Sequence, residues 1–182
     1  MFKTDVSVYG PVIAELLREE RVAPLGPGTP NAAARSLLQG LSVERAFAHA
    51  RVSDRQMAEC CLAGLWLYHD YIDESHKISQ DIDTPSGSYW HGILHRREPD
   101  PSNAAYWFRR VGRHPVFAPL AEAAQALAGS EVKVPSPWDA FWFIDFCEAR
   151  RTGKEPGEKI ARDIQMQEWE LLFDYCYREA TR

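Results

Sequence analysis

Four cysteines are present in 182 residues, and no two of them stand in a C-x-x-C pair: Cys60 and Cys61 are neighbours, while Cys147 and Cys176 lie far downstream. That spacing gives no support to a zinc ribbon or a dithiol redox centre. Adjacent helical residues point about 100° apart, so reduced and mostly buried thiols are expected, as in a cytoplasmic protein. No stretch reaches the roughly 18 apolar residues of a membrane span. The first twenty residues mix acids with their apolar positions and show no continuous apolar core before a cleavage site, so a secretory signal is not expected. Basic residues are the minority, 21 Lys and Arg against 26 Asp and Glu, for a formal net charge of -5. A nucleic-acid surface needs clustered excess cations to neutralise phosphates, and this composition argues against one.

Also missing are the nucleophile elbow G-x-S-x-G, the dinucleotide fingerprint G-x-G-x-x-G and the phosphate loop G-x-x-x-x-G-K-[ST], so serine-hydrolase, dinucleotide and P-loop chemistry have no support. No internal repeat, low-complexity segment or strand ladder is visible. Glu131-Val132-Lys133-Val134 is extended in character but too short and isolated to imply a sheet.

What is present is helical. With 45% hydrophobic and 12% aromatic residues, the chain can bury a core as one domain spanning 1–182. Apolar spacing and caps predict an all-α bundle of seven to eight helices. Val12, Ile13, Leu16 and Leu17 lie on one helical face, followed by a Pro/Gly-rich loop over 23–30. Ser53 or Asp54 caps a long helix running to about Gln80, with Met57, Cys61, Leu65, Tyr68 and Ile72 along its core stripe. After the turn 82–88, a second helix carries Tyr89 to Arg97. Asp100-Pro101 starts the next, Val116 to Ala128 forms another, Ser136-Pro137 opens one over Trp138 to Arg151, and the last runs from about Pro156 to Arg178. Trp138, Phe141, Trp142, Phe143 and Phe146 are apolar almost all round their helix, which calls for full burial or contact with a second copy.

The chemically dense stretch is Tyr68 to Glu98, which holds four of the six histidines. On a continuous helix His69, Asp73 and His76 fall at i, i+4 and i+7, within an arc of about 60° and roughly 10 Å of rise. His91, His95 and Glu98 repeat the spacing on the second helix, although Pro99 disfavours helical backbone at Glu98 and would swing it off the stripe. A short turn makes the two helices antiparallel neighbours. Imidazole and carboxylate so placed can share one divalent transition-metal ion (zinc, iron or manganese), with His69, Asp73, His76, His91 and His95 as ligands. His69, Asp73 and His95 are the candidate acid–base groups. A zinc-protease H-E-x-x-H is ruled out, because Gly92 follows His91. The same residues equally make a satisfied polar seam between helices, and a non-catalytic helical protein is the alternative.

Arginines cluster after the second stripe at positions 96, 97, 109, 110 and 113, and guanidinium groups bind phosphate and carboxylate bidentately. Arg97 and Arg110 are the candidates to orient a small anionic ligand. Tyr89, Trp90, Tyr106, Trp107 and Phe108 can wall that pocket or pack in the core.

Two resemblances add to this reading. His69-Asp70, with His49 upstream, resembles the dyad of the HD-domain phosphohydrolases, all-α metal enzymes that cleave phosphate esters; it departs from that family where Tyr71-Ile72-Asp73-Glu74 continues the helical pattern instead of a small-residue turn. The segment Trp90-His91-Gly92-Ile93-Leu94-His95-Arg96-Arg97-Glu98-Pro99-Asp100, with the flanks around it, resembles a group of uncharacterised bacterial proteins sharing W-H-G-I-x-H-R-R-E-P-D. That likeness covers the middle quarter to third of the chain and implies no activity.

Overall fold

The structure, a computed structural model, describes residues 5–152 and 156–182. Ten α-helices and no strand occur among the described residues: α1 (Pro11–Leu17), α2 (Arg35–Gln39), α3 (Val43–Ala46), α4 (Arg55–Tyr68), α5 (Ile72–Ser79), α6 (Pro85–Arg97), α7 (Pro101–Val111), α8 (Phe117–Ala128), α9 (Ala140–Arg151) and α10 (Glu158–Thr181). The all-α expectation holds. The number of helices is higher than expected because one long helix is in fact two. None of the described helices is long and apolar enough to cross a membrane.

Local chemistry sets most of the starts. Asp54 accepts from the Met57 N–H at 3.1 Å, Thr84 from Gly87 at 3.0 Å, and Asp100 from Asn103 at 3.1 Å. In the last two the next residue is proline at the first helical position, where its missing N–H costs nothing. The Thr84-Pro85 start means that α6 begins at Pro85 and not at Tyr89, so the turn before it is shorter than the sequence implied. Likewise α9 starts at Ala140, where Asp139 accepts from the N–H groups of Phe141 and Trp142 at 2.8 and 3.2 Å.

The expected continuous helix from Asp54 to Gln80 is broken at His69-Asp70-Tyr71. Asp70 is left-handed, at φ 63°. Its N–H donates to Leu67 O at 3.1 Å and that of Tyr71 to Trp66 O at 3.0 Å, the paired bonds of a Schellman ending. An aspartate in this conformation costs on the order of 1 kcal/mol. The offset comes from afar, since Asp70 accepts from both Arg21 on the N-terminal connection and Arg97 at the end of α6. The chain then doubles back, α5 lies on α4, and the Ser75 hydroxyl donates to Ala63 O at 2.9 Å.

Helix α6 is the axis of the molecule. Every residue from Ser86 to Arg97 is buried, with α4, α5, α7 and α9 around it. A helix buried on all sides is usually apolar throughout, but α6 carries Ser86, Ser88, His91, His95, Arg96 and Arg97, so these groups need partners. Arg96 and Tyr89 both donate to Glu168 of α10, which is fully buried, and Arg97 donates to Leu67 O as well as to Asp70. Trp90 reaches zero exposure because α4 presents Gly64: a Cβ there would sit 2.8 Å from the indole. Burying such a side chain contributes about 2–3 kcal/mol. On the opposite side Gly92 lets α7 approach, since a Cβ would meet the Phe108 ring at 2.8 Å. The glutamate of a zinc-protease motif has no room at that position.

Candidate metal centre

His91 and His95, one turn apart on α6, meet His76 of α5. Their ring centroids are 4.5 Å (His76–His91), 5.4 Å (His76–His95) and 4.7 Å (His91–His95) apart. One ring nitrogen from each can be chosen so that all three lie within 4.8 Å of one another, and no other group of three or more His, Cys, Asp or Glu side chains among the described residues converges in this way. His91 and His95 are buried and His76 is half-buried. A tetrahedral ion with bonds of about 2 Å holds its ligands roughly 3.3 Å apart, so small rotamer adjustments close the set. The contacts Ser79–His91 and His76–His95 run in opposite senses along the two helices, which makes α5 and α6 antiparallel.

Two of the three imidazoles are oriented by outer partners. The Ser79 hydroxyl lies 3.1 Å from Nδ1 of His91 and 3.4 Å from His76 O. Nδ1 of His95 faces the Glu98 carboxylate at 2.9 Å. Because a carboxylate only accepts, the Glu98 contact places the proton of His95 on Nδ1 and leaves the lone pair on Nε2, the form in which imidazole binds a metal. The Asn103 amide nitrogen lies 3.2 Å from Nε2 of His95 and is the group an ion would displace.

Electrostatics favour the neutral rings. Burial, reinforced by repulsion from His95 and His76, pushes His91 down to about 3. His95 is lowered chiefly by burial, against an opposing pull from Glu98. At neutral pH both rings are therefore unprotonated, and no proton would have to leave before an ion entered. The Trp107 ring of α7 covers His91 with centroids 4.0 Å apart, and the Arg110 guanidinium lies 5.3 Å from the Trp107 centroid.

Several expected members stand elsewhere. His69 ends α4 because of the break, and both of its nitrogens are engaged: Nε2–H donates to Leu16 O at 2.9 Å and Nδ1 faces the Asn31 amide at 3.1 Å. Asp73 is exposed in the first turn of α5, on the wall of an open cleft with Pro27, Pro30 and Arg35. The i, i+4, i+7 stripe that placed His69 and Asp73 beside His76 required an unbroken helix, so neither joins the cluster as ligand or acid–base group. Arg97 is buried and committed to Asp70 and Leu67 O, so it does not serve an external anion. Arg110 is exposed, donating to Asp83 at 3.0 Å.

Glu98 corrects the sequence in the other direction. It stays with the stripe despite Pro99, since the helix ends on it and its side chain still reaches back one turn to His95. Ser79, Asn103 and Trp107 were not singled out as partners of the histidines; Ser79 was findable as the hydroxyl one turn after His76. The HD-like residues are likewise dispersed into packing, with His49 bonded to the Tyr177 hydroxyl at 2.8 Å and Asp70 neutralised by two arginines. No protein-family model matches the chain, and neither does any curated protein or solved structure.

Proposed function

We propose that this protein holds one divalent transition-metal ion on His76, His91 and His95 and uses it to activate water for hydrolysis of a small anionic substrate. The observation that carries this reading is the convergence of three imidazoles, two of them with outer hydrogen-bond partners, Ser79 for His91 and Glu98 for His95. With Asp73 outside, the ligand set is all nitrogen, which suits zinc or iron better than manganese. Three neutral ligands leave the ion its full charge and an open fourth position, the arrangement that acidifies a bound water and polarises a substrate oxygen. The same charge draws an anion. Arg110, at the rim beside Trp107, is the side chain placed to meet it, because an exposed pair such as Arg110–Asp83 is worth at most about 1 kcal/mol and yields easily.

A second reading has its own observation. The Asn103 amide already satisfies His95 Nε2, so the histidines also make sense as a closed polar network in a non-catalytic helical protein. Elemental analysis of protein purified without an affinity tag separates the two, followed by assays with p-nitrophenyl phosphate and p-nitrophenyl acetate before and after zinc or ferrous iron is restored. Metal at one equivalent and metal-dependent turnover lost in His91→Ala support the hydrolase. Metal-free protein that neither takes up ions nor turns over either ester leaves the network.

A further inference from the structure

A second feature shares no lining residue with the His76, His91 and His95 cluster. An open cleft of about 1490 Å³ runs between the start of α8 and the segment leading into α9, and eighteen residues line it. Its floor is aromatic, with Phe108, Phe117, Trp138 and Trp142, and at its edge Phe141 projects with 43% of its surface exposed. Small-molecule pockets occupy about 300–1,000 Å³ and are mostly enclosed. This cleft is larger and open, and its lining approaches the roughly 20–30 residues that one partner contributes to a standard protein interface.

We infer that this face is the contact between two copies of the chain. Two observations select a second copy over an unrelated partner. The charged groups on its walls are Arg113 and Lys133 against Glu122 and Asp139, so the patch is neutral and carries both signs, although the chain as a whole is at -5. A twofold contact brings a surface against itself, and a patch that carries both signs can pair its charges there where a patch of one sign would repel itself. The same surface also holds both a cleft and an aromatic projection, so a twofold axis lets each Phe141 enter the cleft of the other copy. Phe141 is then covered, in keeping with the rule that large exposed aromatics on such patches mark interfaces.

Sedimentation velocity on the full chain tests this. Wild-type protein at about 100 µM, a concentration that populates even a weak specific dimer, should sediment at twice the 20.7 kDa chain mass. Phe141→Asp should be monomeric at that concentration, with helical circular dichroism and melting unchanged because the side chain is exposed. Arg113→Glu, which leaves one cation against three carboxylates on each face, should weaken the dimer by at least about tenfold. A monomeric wild type overturns the inference, as does a Phe141→Asp dimer of undiminished affinity. A monomer whose cleft instead binds anilinonaphthalene sulfonate, with binding lost in Phe141→Asp, makes the face a ligand site and overturns it too.

Discussion

The Glu98 carboxylate lies 2.9 Å from Nδ1 of His95, one helical turn back and across the end of α6. This contact fixes the proton of His95 on Nδ1, and it holds although the next residue is a proline. A carboxylate bonded to a ligating imidazole raises its basicity and locks its orientation, and loss of such partners costs about 10- to 100-fold in metal affinity.

Glu98→Gln should therefore weaken zinc binding by about that factor, while the unfolding midpoint of the metal-free protein stays within experimental error. Competition with a chromophoric chelator measures the first and urea unfolding the second. Unchanged affinity would remove Glu98 from the site.

Three buried histidines make stability fall on acidification. His69 and His114 are lowered to about 4 and His91 to about 3, in each case mainly by burial, from an ordinary value of 6.5. Between the lowered and the ordinary value only the unfolded chain binds the proton, so unfolding becomes easier as pH drops below about 6.5 and the loss continues towards pH 4. Each such group contributes up to about 1.4 kcal/mol per pH unit, and three together up to about 4. Urea unfolding at pH 7, 6 and 5 should show a steepening loss of stability, whereas a flat profile over that range would mean that these imidazoles are not buried and neutral.

Glu168 is fully buried and accepts from both Arg96 and Tyr89. Glu168→Ala leaves the Arg96 guanidinium charged and unpaired inside the bundle and should cost about 3–5 kcal/mol. Glu168→Gln, which keeps an acceptor, should cost less. Equal stability of the three proteins in urea would show that solvent reaches Arg96.

The helices were legible because their signals are local. Asp100-Pro101 and Asp54 act on N–H groups three residues away, and the apolar spacing of α4 and α10 survives in any context. Thr84-Pro85 is an equally local signal, but the expected turn over 82–88 includes it and starts α6 at Tyr89 instead of Pro85. The break at Asp70 was not legible, since no glycine or proline marks it. Asp70 turns left-handed because Arg21 and Arg97, 49 and 27 residues distant in the chain, converge on it. Two of the five expected ligands moved with that break: His76, His91 and His95 came together because the α5–α6 turn is short, whereas His69 and Asp73 had been placed by a helix that does not continue. Glu98 was misjudged for the opposite reason, as the proline rule speaks to the backbone and not to where a flexible side chain can reach.

Zinc titration of protein purified without an affinity tag, followed by both calorimetry and thermal unfolding, bears most directly on the central claim. One zinc per chain is expected, and at about one hundred times Kd it should stabilise the fold by about 2.7 kcal/mol. Both signals should vanish in His91→Ala combined with His95→Ala. A parent protein that takes up no transition metal at about micromolar concentration, and whose melting temperature ignores both zinc and chelator, would contradict the metal centre and leave His76, His91 and His95 as a packed polar network.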